Sequence, residues 1–438
     1  MRLFLPFYLR LGRPRVVAAA SLVLSALALS ACQEPTISGV PPQPQEAVAP
    51  PVIGAPLEPT TPVPVPPPST EKLRVALLLP LSGQNAALGS AMLDAAQMAL
   101  FDVADERLEL LPRDTQGRPD AAAEAARGAV ADGARLIIGP LLAGEVGAVK
   151  PIAHAANVPV LAFSTAVQLA GDGTYLMGFL TRQEVERVTN FAHGKGVDRF
   201  AVLAPRSPYG DIAVDALRAA TQASGASLTH TEYYDPAAQD LTPAVQRLVG
   251  VKVDPATARK LEKQAQSKGE PPPEPPPPLD FDAVLLPEGG QRLKAVAPLL
   301  PYYDVDPEKV HFLGTGLWDE PGLGSEPALS GGWYAAPPPA ARADFERRFA
   351  EVYRHAPPRL ATLAYDATAL AAVLSRSAAG PDFSPTALTN PSGFAGVDGI
   401  FRLRPDGLVQ RGLAVLEVRR SGNVVVDPAP STFQQLGY

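Results

Sequence analysis

From residue 73 to residue 314 the chain alternates short apolar runs with amphipathic stretches, which in the first half run to 10–16 residues. This alternation restricts the fold more than any other feature. Strands are expected at Leu73–Leu79, Leu108–Pro112, Leu136–Ile138 and Val160–Phe163, separated by helices at Leu88–Val103, Asp120–Asp132 and Glu145–Ala156. The strands are apolar almost throughout, so both of their faces must be covered, as in parallel strands linked by helical crossovers. After residue 180 the pattern restarts with helix Gln183–His193, strand Phe200–Leu203, helix Tyr209–Ala223 and strand Ser227–Tyr234. Helix Pro243–Val249, strand Phe281–Leu286, helix Gln291–Pro301 and strand Val310–Gly314 complete it. Helices Ala340–His355 and Ala361–Ser377, with strands near Ile400–Leu403 and Leu413–Val418, are then shared between the two units. The expected fold class is α/β with two lobes, each a parallel sheet with helices on both faces. Two such open sheets place the carboxyl ends of their strands around a common crevice, where a ligand binds.

The alternation is framed by segments of another kind. Of 50 prolines, 13 fall within residues 33–72 and seven within 271–278. The first stretch has too little apolar content to fold and suits extended polyproline II. Largely extended, it would reach on the order of 100 Å. The second follows the basic polar stretch Arg259–Lys268, and the segment 251–280 reads as an insertion. It is either a disordered loop or a docking segment for an aromatic groove. Arg2, Arg10, Arg13 and Arg15 precede an uncharged run from Val16 to Ala31, which is short for a membrane span and fits a secretory signal.

Leu29-Ser30-Ala31-Cys32 resembles the lipobox of bacterial lipoproteins. The resemblance implies cleavage before Cys32, a diacylglycerol thioether on its sulfur, and, from Gln33, residence at the outer membrane facing the periplasm. Cleavage would remove four arginines and no acid, taking the net charge from −7 to −11. That balance argues against nucleic acid as a partner. A single Cys excludes internal disulfides and Cys-based metal clusters.

Several ordered phrases carry a second resemblance: Arg74–Gly83 with Gly89 and Asp94–Leu100, Asp114–Asp120, Leu136–Leu141, Asn157–Thr165 and Gly396–Gly407. Together these resemble the type I periplasmic binding protein fold in its branched-chain amino-acid-binding family, across about residues 73–425. The resemblance implies three crossovers, placed near Gly178–Arg182, Tyr334–Pro339 and Gly396–Phe401. Lobe I is then 73–180 plus 339–398, lobe II is 181–334 plus 399–425, and a tail runs from 426 to 438. It also implies cleft positions at Ser82, Gly83, Leu88, Leu141, Ala143, Ser164, Thr165, Ala166, Tyr209, Glu288, Gly316 and Trp318. An amino-acid zwitterion needs hydroxyls or N–H groups for its carboxylate and an acid for its ammonium. Ser164 and Thr165 match the family, but Leu88, Leu141, Ala143 and Ala166 lack the usual groups. Gly316 stands where the second lobe's acid is expected, with Asp319 and Glu320 three and four places on. A tight free-amino-acid site is therefore not expected. Lipid-anchored relatives lacking that site resemble the LpoA-type penicillin-binding protein activators. The leading expectation is a periplasmic activator of a peptidoglycan synthase, with a substrate-binding lipoprotein of an amino-acid importer as the alternative.

No catalytic motif supports an enzyme. Ser69-Thr-Glu-Lys72 is the one Ser-x-x-Lys and sits at the end of the tether, and Gly314-Thr-Gly316 lacks the third glycine of a dinucleotide loop. The five histidines show no ligand spacing, so neither metal nor cofactor is expected. Ser164 and Thr165 serve a local cap or a ligand, with both readings open. Tyr209 and Trp318 are candidates for the cleft or for the core.

Overall fold

Strand β1 (Leu73–Leu79) shows why this sequence makes a sheet buried on both sides. Val75, Leu77 and Leu79 enter one core with Met92, Ala96 and Leu363, while Ala76 and Leu78 enter another with Ala122, Ala126 and Val146. Successive side chains point to opposite faces, so an unbroken apolar run serves two layers at once. The computed structural model describes residues 72–103, 107–271, 278–376 and 380–436. The expected signal sequence, Cys32, the tether and most of the 271–278 cluster lie outside the described residues.

In lobe I, β1 pairs in parallel with β2 (Leu108–Asp114) and β3 (Leu136–Ile138), followed outward by β4 (Val160–Ala162) and β5 (Thr174–Leu176), in the order β2-β1-β3-β4-β5. Helices α1 (Ala86–Val103), α2 (Pro119–Ala131) and α3 (Ala143–Ala155) connect them. Lobe II opens with α4 (Thr181–Gly194). Its parallel strands are β6 (Arg199–Pro205), β7 (Ser227–Tyr234), β8 (Ala283–Leu285), β9 (His311–Gly314) and β10 (Trp333–Ala336). Between them lie α5 (Pro208–Ser224), α6 (Thr242–Leu248), α7 (Pro255–Lys268), α8 (Gly290–Val296) and α9 (Leu299–Tyr302). The chain then returns to lobe I through α10 (Pro339–Tyr353) and α11 (Ala361–Ser375), which pack Phe345, Phe349 and Ala361 on Ala91, Ala95 and Met98 of α1. After α12 (Pro385–Leu388) a small antiparallel sheet forms from β11 (Phe394–Gly396), β12 (Gly399–Leu403) and β13 (Val409–Arg411). Finally β14 (Ala414–Glu417) and β15 (Val424–Asp427) add antiparallel to the edge of the second sheet beside β10.

Several details differ from the sequence expectations. β5 was not expected, because a three-residue strand opening on Thr carries almost no periodic signal. The basic stretch expected as an insertion contains α7, closed at one end by the Asp254 side chain on the Thr257 N–H (2.9 Å) and at the other by left-handed Gly269. The expected helix Gln291–Pro301 divides into α8 and α9 at Pro298, which has no N–H to donate. Phe401, Leu403 and Val409 pack in the lobe I core, so the third crossover is the Arg411–Ala414 link and not Gly396–Phe401. β15 carries the second sheet past residue 425 into the expected tail.

The five apolar cores each stay within one lobe, with Tyr234, Trp318 and Tyr334 among the large side chains of lobe II and Phe401 of lobe I. Among the described residues no helix is long and apolar enough to cross a membrane. Each lobe also repeats one tight junction. A proline stands at the end of the first strand or just after it, and its carbonyl meets the glycine of the following helix: a Cβ on Gly89 would lie 2.1 Å from Pro80 O, and one on Gly210 1.9 Å from Pro205 O. Gly210→Ala is therefore expected to cost about 1–3 kcal/mol in urea unfolding. Gly194→Ala, in open space at the end of α4, is expected to be neutral or to gain up to about 1 kcal/mol. Equal effects would show that the strand–helix junction is not tight.

Candidate functional site

The loops at the carboxyl ends of the strands hold most of the expected positions. In lobe I, Asp114 at the end of β2 organises the loop after β1. Its Oδ1 accepts from the N–H groups of Leu81 (2.9 Å), Ser82 (3.2 Å) and Gln116 (2.8 Å), and its Oδ2 accepts from Ser82 Oγ at 2.6 Å. Slight burial opposes ionisation, but these hydrogen bonds prevail and hold the carboxyl below its usual range. Ser82 thus spends its proton on Asp114, and Gly83 turns with φ near 79°. Leu88 is half-buried against the lobe I core, Leu141 is buried in it, and Ala143 is exposed at the start of α3. Ser164 is buried, and its Oγ accepts from Ala166 N–H at 3.2 Å, forming a local turn rather than a cap on a full helix. As an acceptor in that bond, its hydroxyl keeps a proton to donate. Thr165 beside it is exposed.

In lobe II, Tyr209 stands in the first turn of α5 with its hydroxyl 2.7 Å from Thr315 Oγ1. Burial pushes this phenol well above its usual range, the Thr315 bond pulls the other way, and the nearby Glu184 charge raises it further. Glu288, after β8, accepts from the Tyr234 hydroxyl and from the Gly289 N–H (3.2 Å), with Arg292 at 3.9 Å. Trp318 belongs to the core. It is fully buried, and its indole donates to Leu286 O at 3.2 Å, so it does not line the crevice.

The place left by Gly316 is filled from another element. Glu184, in the first turn of α4, accepts from Gly316 N–H through Oε2 at 2.9 Å. A Cβ on Gly316 would lie only 2.4 Å from Glu184 Oε1. The acid missing from the loop after β9 is thus present in space, carried by α4. Burial raises its carboxyl to about 7; the Gly316 bond and Arg359 pull it down, and Asp319 pushes it up. The loop's own acid is engaged elsewhere. Asp319 takes two bonds from Arg342 of α10 (2.5 and 3.2 Å), and Arg359 lies at 3.4 Å.

Those arginines begin a charge network at the crossovers. Arg359 also pairs with buried Asp398 at 3.0 Å and lies over the Phe179 ring at 4.2 Å. Arg411, buried, donates to Met177 O at 2.7 Å and faces Phe179 at 4.9 Å. Asp366, buried in α11, accepts from Val397 N–H at 2.8 Å, and burial followed by the Asp398 charge pushes its carboxyl upward. Gln183 spans the same junction, donating to Val409 O and accepting from Arg411 N–H at 3.1 Å. A hollow of about 1070 Å³ lies beside this junction, lined by Gln183, Arg187, Arg402, Gln410 and Pro428, and shares none of the strand-end residues.

Sequence reasoning missed Glu184, Arg342, Arg359, Asp398 and Arg411. The usable signal for Glu184 was an acid in the buried stripe of α4, one turn before Val188. Among the described residues no cluster of His, Cys, Asp and Glu could hold a metal ion. The strand-end loops of lobe I thus offer hydroxyls, and α4 of lobe II offers a buried acid, groups of the kind that hold a small polar molecule.

The sequence profile of the periplasmic binding protein family matches residues 72–423. The Leu/Ile/Val-binding protein BraC3 of Rhizobium johnstonii is 26% identical over 193 residues, which are 42% of this chain and 53% of that protein. The chain spans about half the length of the curated relatives it matches. A putative branched-chain amino acid ABC transporter protein from Rhodospirillum rubrum superposes with a TM-score of 0.65 at 20% identity, over 81% of this chain and all of that one. A solute-binding protein from R. palustris in complex with benzoate superposes with a TM-score of 0.54 at 16% identity, over 82% and 98% of the two chains. The two-lobed α/β architecture and the match across most of the described residues agree, and the chain belongs to the type I periplasmic binding protein family.

Proposed function

We propose that this chain is a lipid-anchored periplasmic solute-binding protein that takes a small molecule carrying both a carboxylate and an ammonium group, for delivery to an ABC-type importer. The observation that carries this reading is the Glu184 carboxylate in the space beside Gly316. A buried acid whose Oε2 holds one N–H and whose Oε1 has no hydrogen-bond donor among the described residues suits an incoming ammonium. Ser164 and Thr165 supply hydroxyls for a carboxylate from the other lobe. Among the relatives, BraC3 is named for leucine, isoleucine and valine, and the R. palustris protein holds benzoate. Both ligand classes carry a carboxylate, and only the first carries an ammonium for Glu184 to meet. The reading is non-catalytic.

A second reading keeps the surface and dispenses with the ligand: an activator of a penicillin-binding peptidoglycan synthase acting through protein contact. It is favoured by the commitment of Asp319 to Arg342 and Arg359, which ties the lobes together without a ligand.

Calorimetry of the chain from Pro68 against amino acids, beside pulldown with periplasmic synthase domains, separates the two readings. Micromolar binding of an amino acid without synthase capture is expected; the reverse result would establish the activator. Glu184→Gln keeps an acceptor for Gly316 and should weaken amino-acid binding at least about tenfold, while a carboxylate without an amine loses little. Because burial raises Glu184 to about 7, amino-acid affinity should fall as pH drops through that value, and binding below it should release a proton. Two buffers of different ionisation heat would measure that proton, and none released would remove Glu184 from the site. The same shift makes the ionised form costly to the fold. Stability should therefore rise from about pH 8 to about pH 5 by roughly 2–3 kcal/mol, a slope Glu184→Gln flattens. Cys32→Ser should abolish acyl labelling, and membrane attachment that survives it would refute the anchor.

A further inference from the structure

We propose that the outward face of α7 is a docking surface for an anionic lipid bilayer. The segment Lys252–Lys268 carries Lys252, Arg259, Lys260, Lys263 and Lys268 against only Asp254 and Glu262, in a chain of net charge −7. Asp254 is occupied as the helix cap. Ala265 is the one buried residue of the helix. At 100° per residue, Arg259, Lys260 and Lys263 fall within about a 100° arc on the side opposite Ala265, and all three are exposed. None of the five cations has an ion pair among the described residues. Three exposed arginines elsewhere on the same lobe are paired: Arg199 with Asp282, Arg218 with Asp215 and Arg247 with Glu232.

The chemistry of the face selects the occupant. A helix of 14 residues is marginal alone, and this one is held by its two caps and a single small buried residue. Its side chains are therefore free to serve something outside the fold. Protein interfaces are built on a buried centre rich in aromatics and poor in Lys. Pro255–Lys268 contains no aromatic and three lysines. Long, flexible ammonium stems on a convex helix read a field rather than a shape, and a sheet of anionic headgroups supplies that field. Binding of this kind is weak alone and becomes firm when a second attachment adds to it. The inference does not depend on the ligand proposed for the crevice, nor on the anchor at Cys32.

The test is co-sedimentation of the unit Pro68–Tyr438 with vesicles of phosphatidylcholine, alone or with about one third phosphatidylglycerol, at about 50 mM salt. The expected result is binding only to the anionic vesicles, falling at least about tenfold by about 500 mM salt. Arg259→Gln, Lys260→Gln and Lys263→Gln together should lower the partition at least about tenfold. The equal charge change Lys309→Gln, Arg354→Gln and Arg420→Gln, on exposed positions elsewhere, should leave it within about twofold. Circular dichroism of both triple variants checks that the fold survives. No binding to anionic vesicles, or equal losses in the two variants, would overturn the proposal. Preferential capture by polyglutamate at matched charge would also overturn it, in favour of an acidic protein partner.

Discussion

The Arg359 guanidinium is the contact on which the two-lobed arrangement turns. It lies over Phe179 at the first crossover, approaches Asp319 from lobe II, and pairs with Asp398 in the turn between β11 and β12. Arg342, just past the second crossover, holds the other side of Asp319. Since none of the five apolar cores passes from one lobe to the other, burial of apolar surface does not set the angle between them. That task falls to directional charges. Buried ion pairs add little net stability once desolvation is counted, but breaking one is costly, so they specify a geometry rather than strengthen it. A junction of this type holds a preferred arrangement without fusing two cores into one.

The charges at the junction are not balanced equally. Arg411 and Asp366 are both buried, and burial shifts each toward its neutral form. Glu184, one turn into α4, lies at the edge of the same network, with Arg359 lowering and Asp319 raising its affinity for a proton. The buried acid beside Gly316 and the arginine that joins the lobes therefore act on each other through space. A change in charge at one is felt at the other, because the surrounding protein screens poorly compared with water.

The sheets were legible because their signal is local and repeated. An apolar run such as Leu73–Leu79, bounded by a turn and followed by a helix, leaves few alternatives. The site was less legible, and Gly316 shows why. Position-by-position reading asks what side chain occupies a slot, whereas the fold asks what atoms occupy a volume. Glu184 lies 132 residues away in sequence and fills that volume from a different helix. Trp318, left open in sequence between cleft and core, resolves to the core. An aromatic beside the expected crevice is turned inward, where its indole finds Leu286 O. Asp319 was visible in sequence as an acid displaced by three places, yet its commitment to Arg342 depends on the return of the chain through α10. The third crossover was misplaced because Gly396–Phe401 has the composition of a turn, while the actual link, Arg411–Ala414, is defined by which core Val409 and Ala414 join.

These observations bear on how a ligand would move the molecule. A ligand shifts a two-state equilibrium only by the difference in its affinity for the two states. If an ammonium group meets Glu184, it adds a positive charge where Arg359 already lowers that residue's proton affinity. Glu184 would then be held ionised, and the attraction between it and Arg359 would be strongest in the arrangement that brings the lobes' charges together. Glu184 follows the first crossover closely and bonds Gly316 in the loop that carries Asp319. On the proposed reading, the group that meets the ligand would sit in the helix that follows the first crossover. Recognition and closure would then draw on one set of charges, a physical route for coupling them without a separate relay.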